Sequence, residues 1–164
     1  MRYTTSLDWI ARVVTVLITA LITAIGIASF GGFSLPGQHT GPGPSAIIAF
    51  LLMVTFVFCM LQWTRGYTVT SSTLVINKLV GQRVIARENI LSVFPVKDND
   101  LRWSIRTFGS GGLFGYFGKF YNTKYGDMTW YATRVSRFVM VELKGGEHIV
   151  LTPDQEDLVE KLKG

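Results

Sequence analysis

The sequence has a single cysteine, Cys59, and few charged residues for its length. One cysteine excludes an intrachain disulfide, so the fold cannot depend on one. Its 164 residues include 16 Lys and Arg against 11 Asp and Glu, and no run of consecutive basic residues occurs. The net charge of +5 is too small and too dispersed for a nucleic-acid-binding surface. We therefore expect no nucleic acid among the partners.

Charge is entirely missing from two apolar segments near the N-terminus. They are Val13–Phe30 and Ala46–Trp63, of 18 residues each. At about 1.5 Å per residue, a helix of this length reaches roughly 27 Å, close to the thickness of the hydrocarbon core of a bilayer. We therefore predict a transmembrane hairpin over residues 1–63 and one globular domain of ordinary size over residues 64–164.

The connection between the two spans, residues 31–45, contains no Lys or Arg. Basic residues instead lie before the first span and after the second: Arg2, Arg12, Arg65, Lys78, Arg83 and Arg87. Under the positive-inside rule this distribution predicts a multi-pass protein of the cell membrane, with both termini in the cytoplasm and the connection outside.

A cleaved signal peptide is the alternative interpretation of the first apolar segment. Gly26 and Ala28 would provide the small residues of a cleavage site. The segment is, however, longer than the roughly 7–15 apolar residues of such a peptide. The second span would anchor the protein even after cleavage.

After residue 64 the chain has the pattern of short strands separated by turns. Apolar and polar residues alternate in several of these strands, which is typical of a sheet with one buried face. Gly145-Gly146 predicts a hairpin between the last two, because glycine accepts the positive φ angles of a tight turn. The predicted strands are residues 66–69, 73–77, 82–86, 90–96, 101–108, 128–134, 137–143 and 147–152. About seven antiparallel strands describe a small β-sandwich or a partly open barrel.

One helix is predicted at the end of this all-β domain. Thr152 is a suitable N-cap, Pro153 suits the first helical position, and Gln155 completes a capping box. A helix of about ten residues is marginal alone, so we expect Leu158, Val159 and Leu162 to pack on the rest of the domain.

The most unusual segment of the domain is FGSGGLFGYFGKFYNTKYG, residues 108–126, where glycines alternate with aromatic residues. In one interpretation the glycines form bulges and tight bends where the backbone passes close to aromatic rings. In the other the segment is a mobile loop whose rings enter lipid headgroups or grip an apolar ligand, beside basic residues that bind a phosphate or carboxylate. The second interpretation assigns ligand or membrane binding to Phe114, Tyr116, Phe117, Lys119, Lys124, Arg102 and Arg106.

Together with SIRTFGSGG before it and DMTWYATR after it, this segment resembles a family of bacterial pleckstrin-homology-like (PH) domains. Members of that family pair an N-terminal two-helix membrane hairpin with one such domain, and the likeness covers most of residues 64–164. The resemblance implies a seven-stranded sandwich capped by a C-terminal helix, and it carries no catalytic residues. Eukaryotic domains of similar shape bind inositides through basic residues between their first two strands, where this chain has Thr70-Ser71-Ser72.

The other polar residues have no partners at the spacing of a catalytic or metal site. Asp98-Asn99-Asp100 is interpreted as a turn between strands. His39 and His148 are isolated in the sequence, and Cys59 lies within an apolar span. We therefore predict no enzyme activity, no metal and no cofactor.

These observations favour a non-catalytic, membrane-anchored binding module at the cytoplasmic membrane face. Its expected partners are the bilayer itself and either an anionic lipid or a membrane protein. A structural or assembly subunit of a membrane protein complex is the alternative. An enzyme acting on lipid headgroups is a third, and it would need a polar cluster in one cleft, such as Arg102, Arg106, Asp127 and Arg134.

Overall fold

The computed structural model describes residues 1–30 and 44–163, with side chains over residues 1–27 and 47–162. The predicted external connection therefore lies outside the described residues, except for its last two positions. The helices are α1 (Trp9–Phe30), α2 (Pro44–Leu61), α3 (Asp98–Leu101) and α4 (Leu158–Lys163). The strands are β1 (Arg2–Thr4), β2 (Thr64–Val69), β3 (Thr73–Lys78), β4 (Gln82–Ala86), β5 (Ile90–Val96), β6 (Ile105–Gly112), β7 (Gly115–Asn122), β8 (Gly126–Ala132), β9 (Phe138–Leu143) and β10 (His148–Leu151).

The two apolar segments form α1 and α2, which pack against each other. Within the described residues, Trp9–Ile27 is long and apolar enough to cross a membrane, and only 6% of it is buried. A core helix of a soluble protein would be mostly buried. The described part of the second segment, Ile47–Leu61, is apolar but shorter than a span.

The strands form two sheets that pack as a sandwich. One sheet has the order β1-β2-β3-β4, and the other has the order β5-β9-β10-β8-β7-β6. All pairs are antiparallel except β8 and β10, which run parallel. The tight turn at Gly146 folds β10 back along β9, and this hairpin places β10 between β9 and β8. The predicted sandwich is present, but it is not uniformly antiparallel.

The six-stranded sheet is covered on both faces. Between the two sheets and α4 lies a cluster formed by Tyr3, Tyr67, Leu74, Ile76, Val93, Val141, Ile149, Leu151, Leu158 and Leu162. The opposite face carries a second cluster, formed by Ala11, Val96, Leu101, Tyr116, Phe120, Met128, Trp130, Phe138, Met140 and Val150. Residues from α1 and α3 take part in the second cluster, so the start of the first apolar helix belongs to the core of the domain.

Tyr67 of β2 joins the two sheets through its hydroxyl group. The hydroxyl donates to the carbonyl oxygen of Tyr131 at 2.6 Å and accepts the N–H of Thr152 at 3.0 Å. Burial raises the pKa of Tyr67 to about 12. The fully buried phenol therefore stays protonated and keeps both hydrogen bonds at neutral pH.

The C-terminal helix packs on the sheet as predicted, but it begins at Leu158 rather than just after Thr152. The Thr152 hydroxyl accepts the N–H of Thr133 at 2.9 Å instead of capping a helix. The Gln155 side chain accepts the N–H of Thr4 at 3.3 Å. The residues expected to cap the helix are thus engaged by other strands, which leaves only the last part of the segment helical.

The sandwich also includes a strand that precedes the two long helices. β1 pairs with β2 in antiparallel register, and Tyr3 is buried in the cluster between the sheets. Thr5 donates to the carbonyl oxygen of Thr64 at 3.3 Å, so the chain ahead of α1 lies beside the start of β2. The helix pair is therefore inserted between the first two strands of the four-stranded sheet.

Candidate functional site

The glycine-aromatic segment forms the β6–β7 hairpin. Gly109 and Gly118 face each other across this pair of strands. A β-carbon on Gly109 would collide with the carbonyl oxygen of Phe117, and one on Gly118 would collide with that of Phe108. Both glycines have φ angles near +114° and +113°, which other residues rarely adopt. These two glycines have the structural role of the first interpretation.

The turn of this hairpin lies between the two long helices. Phe114 donates its backbone N–H to the Thr15 hydroxyl of α1 at 3.0 Å. Its ring packs edge-on against Phe56 of α2, with centroids 5.2 Å apart, and lies 6.0 Å from the ring of Trp63. Phe114, predicted to bind a ligand or the membrane, joins the domain to its helices through these contacts.

Asp8 makes a second connection between α1 and the sheet. Its carboxylate caps the helix by accepting the N–H of Ala11 at 2.7 Å. The same carboxylate accepts the Tyr116 hydroxyl and the N–H of Val135, each at 3.2 Å. Burial, followed by the negative charge of Asp8, raises the pKa of Tyr116 well above its usual value. The sequence analysis missed Asp8, although an aspartate directly before an apolar helix is an N-cap signal.

A cavity of about 490 Å³ lies on the second face of the six-stranded sheet, beneath α3. Its floor is aromatic, because Trp130 stacks on Phe120 at 4.3 Å between ring centroids and lies 5.2 Å from Phe138. The rim is polar and includes Asp98, Asn99, Arg102 and Ser104. We call this cavity the Trp130 pocket. Sequence analysis could not find it, since its walls come from five separate elements.

The Trp130 pocket offers hydrogen-bond donors that the protein itself does not use. Trp130 is 4% exposed, and its buried indole N–H has no acceptor within the described residues. Arg102 lies on the rim, and Arg106 extends over Gly111 in the pocket wall. Among the described residues neither guanidinium forms a salt bridge or donates a hydrogen bond. The rim carboxylate of Asp98 already accepts the N–H of Arg137 at 2.9 Å. The free donors and the two positive charges suit an anionic, oxygen-rich group.

Lys119, another predicted binding residue, belongs to a polar network on the opposite face of the sheet. It donates to the Thr129 hydroxyl at 2.8 Å and lies 3.8 Å from Glu147. Arg83 of the other sheet pairs with Glu147 at 2.6 Å. Burial acts to raise the pKa of Glu147, but the hydrogen bonds from Arg83 and Thr129 outweigh it and hold the pKa below its usual value. This network joins the two sheets.

The remaining predicted residues are also separated from one another. Lys124 binds Asp100 at 2.7 Å and so holds α3 against the β7–β8 turn. Phe117 lies on the opposite face from Tyr116 and lines a small cavity of about 120 Å³ together with Phe58 of α2. Of the seven predicted site residues, Arg102 and Tyr116 line the Trp130 pocket, and Arg106 lies next to Gly111 of its wall.

The polar cluster expected of an enzyme is not assembled from the predicted residues. Arg134 pairs with Asp154 at 2.7 Å instead of joining Arg102 and Arg106 at the pocket. Within residues 1–30 and 44–163, no group of three or more His, Cys, Asp and Glu side chains is placed to hold a metal ion.

Comparison with known protein families bears on residues 65–164, which match the model of the bacterial PH domain. The match confirms the resemblance seen in the sequence, covers well over half of the chain and extends from β2 to α4. No curated protein and no solved structure was found to match the chain. The match leaves out β1 and Asp8, although both contribute to the domain. PH domains are in general non-catalytic binding modules that take lipids or proteins. The chain belongs to the bacterial PH domain family.

Proposed function

We propose that this protein is a non-catalytic PH module anchored at the cytoplasmic face of the cell membrane, and that its Trp130 pocket binds the anionic headgroup of a membrane lipid. The observation that carries this proposal is the pocket itself. It combines an aromatic floor, an unused indole N–H and two arginines without carboxylate partners in the described residues. A phosphate group is the acceptor that suits such donors.

The helix pair supports the anchoring part of the proposal. α1 is apolar apart from Arg12 near its start, and only 6% of Trp9–Ile27 is buried, which is unfavourable in water and favourable in hydrocarbon. Its threonine hydroxyls are satisfied within the helix, because Thr15, Thr19 and Thr23 each donate to the carbonyl oxygen four residues earlier, at 2.7–2.8 Å. Internal satisfaction of polar groups is what a bilayer requires. With α2 as the second span, basic residues flank the pair on the side of the domain, and the positive-inside rule then favours a cytoplasmic domain.

Anchoring lowers the affinity that the pocket needs. A lipid in the same membrane is presented at a high effective concentration, so a weak intrinsic affinity is sufficient for occupancy. The connections through Asp8 and Phe114 hold the domain close to the helices, which keeps the pocket near the lipid surface.

Binding of a short-chain lipid to the full chain in detergent tests this function. We expect dihexanoyl phosphatidylglycerol to raise the thermal unfolding midpoint, and dihexanoyl phosphatidylcholine to have a much smaller effect. Arg102→Gln and Trp130→Phe should each weaken the binding roughly tenfold or more, since a hydrogen bond to a charged group contributes about 1.5–3 kcal/mol.

Arg65→Gln is the matched control, because Arg65 lies over Trp63 and away from the pocket. This variant should bind like the wild type. Equal stabilisation by both lipids, or wild-type binding in Arg102→Gln and Trp130→Phe, would contradict the proposal. If the chain binds neither lipid but retains a protein through the pocket, the ligand of the pocket is a protein and not a lipid.

A further inference from the structure

The edge strand β6 presents an apolar surface to solvent. Trp103, Ile105 and Phe108 are 80%, 67% and 68% exposed. Ile105 is the register partner of Tyr121, so these two side chains share a face of the sheet. Single exposed apolar residues are ordinary, but a contiguous group at a sheet edge indicates a contact surface. We use the name β6 apolar face for Trp103, which lies just before the strand, together with Ile105, Phe108 and Tyr121.

The position of this face relative to α2 indicates what covers it. Phe108 lines the small cavity that also contains Phe58 and Gln62 of the second apolar segment. Phe58 lies three residues before Leu61, the last residue of α2, which is about 4.5 Å along the helix axis. In a membrane-spanning helix this level is at the boundary between hydrocarbon and headgroups. The face therefore starts beside the bilayer surface.

A second contact fixes the same strand to α1. Gly112, at the end of β6, lies next to Val14, with 3.5 Å between the position of a β-carbon and the valine side chain. The β6–β7 hairpin is thus held by both helices, and the apolar face extends outward from this point along β6. Such an arrangement holds the turn end of the edge strand beside both helices.

The charges near the face favour an anionic surface. Arg102 and Arg106 flank Trp103 and Ile105 in the sequence, and neither has a carboxylate partner within the described residues. By register Arg106 lies with Phe120 on the opposite face of the sheet, whereas Lys119 lies with Phe108 on this face. The nearest carboxylate on this face by register, that of Asp127, is opposite Tyr121 on the side away from β6. Aromatic side chains with neighbouring arginines are typical of protein surfaces in the headgroup layer.

We propose that the β6 apolar face enters the headgroup layer of the same anionic membrane that anchors the helices. The burial of three large apolar side chains stabilises the contact, and the positive charge along this edge favours an anionic surface. This contact fixes the orientation of the sandwich and brings the rim of the Trp130 pocket to the lipids. The inference rests on the proposed anchoring by α1 and α2, but not on the ligand of the pocket.

Site-specific fluorescence of the full chain in vesicles of phosphatidylcholine and phosphatidylglycerol tests the contact. In a Cys59→Ser background, Ile105→Cys is labelled with an environment-sensitive dye, and phospholipids carrying a nitroxide serve as the quencher. Leu91→Cys is the matched control, because Leu91 is 66% exposed at β5, the opposite edge of the same sheet. Leu17→Cys in α1 reports the anchor. We expect blue-shifted, lipid-quenched emission at positions 105 and 17, and water-like, unquenched emission at 91.

The three positions separate the failure of this inference from the failure of the anchor. If position 17 is quenched by lipid while 105 behaves like 91, the helices are anchored and the β6 contact is absent. If position 17 is not quenched, the proposed anchoring itself is wrong. Equal quenching at 105 and 91 would also contradict the inference, since it would show that the whole domain approaches the lipids without a preferred edge.

Discussion

At the scale of single residues, Asp8 has the most connections between the helices and the domain. One carboxylate caps α1 and also holds Tyr116 and Val135. Loss of an N-cap costs about 1 kcal/mol, and a buried tyrosine hydroxyl without a partner adds to that cost. Asp8 therefore has a larger structural role than any of the seven residues singled out in the sequence.

We predict that Asp8→Ala lowers the free energy of unfolding of the full chain in detergent by about 2 kcal/mol. Asp8→Asn keeps an N-cap and an acceptor for Tyr116, so it should cost less than half as much. Denaturant titration followed by circular dichroism measures both. Wild-type stability in Asp8→Ala would show that the carboxylate does not join the helix to the sheet.

The Glu147 network predicts a dependence on pH. Because Arg83 and Thr129 hold the pKa of Glu147 below its usual value, its stabilisation is present above the pKa of the unfolded chain and is lost as the pH falls through the lower folded pKa. Glu147→Gln should cost about 1 kcal/mol at neutral pH and nothing in acid. Glu88→Gln, an exposed control, should be neutral at both. A cost of Glu147→Gln that persists in acid would contradict this assignment.

Because the glycines of the β6–β7 hairpin face each other closely, we predict that adding one methyl group there strongly lowers stability. Gly118→Ala places a β-carbon against the Phe108 carbonyl oxygen at a positive φ, so we expect a loss of about 2 kcal/mol or more. Gly145→Ala is the control, since nothing lies within 4 Å of its β-carbon position. Thermal unfolding compares the two variants, and equal midpoints would overturn the structural role of Gly118.

At the scale of elements, what the sequence predicted depends on the range of the interaction. Alternation of apolar residues is a local signal, and it located most of the strands from β2 onward. The three-residue β1 is too short to show alternation, and its pairing with β2 depends on a contact across more than 60 residues. The start of α4 was misplaced for the same reason, because Thr152 and Gln155 are engaged by residues that are distant in the sequence.

The candidate site divides in the same way. Arg102, Arg106 and Tyr116 were found as charges and rings in or near an unusual segment; the structure places Arg102 and Tyr116 in the lining of the Trp130 pocket and Arg106 beside Gly111 of its wall. Trp130 itself gave no signal, because an aromatic residue in a strand is ordinary core. Its unused indole N–H appears only when the surrounding side chains are in place.

The pairing of β1 with β2 predicts the relative stability of two fragments of the chain. Residues 64–164 alone would leave the edge of β2 unpaired and lose buried Tyr3, so this fragment should be less stable than a version in which residues 1–8 precede Thr64 through a short Gly-Ser linker. The contact between Thr5 and Thr64 shows that such a linker can close. Hydrogen exchange at β2 measures the difference. Equal protection of β2 in both fragments would show that β1 contributes nothing to the domain.

At the scale of the whole molecule, an apolar helix pair is joined to a PH sandwich through Asp8, the β6–β7 turn and direct chain connections. The helix pair was visible in the sequence because length and the absence of charge are properties of a continuous segment. The attachment of the domain to that pair was not visible, because it is made by side chains from three separate parts of the chain. Because the domain is attached to the helices in this way, the Trp130 pocket and the β6 edge can both face the same membrane.

Alkaline carbonate extraction of membranes from cells that produce the full chain tests the central claim, which is integral anchoring by α1 and α2. The control is the fragment in which a short Gly-Ser linker joins residues 1–8 to residues 64–164 in place of the helices. We expect the full chain to stay with the membrane pellet and this fragment to be released. Release of the full chain into the alkaline supernatant would contradict the account.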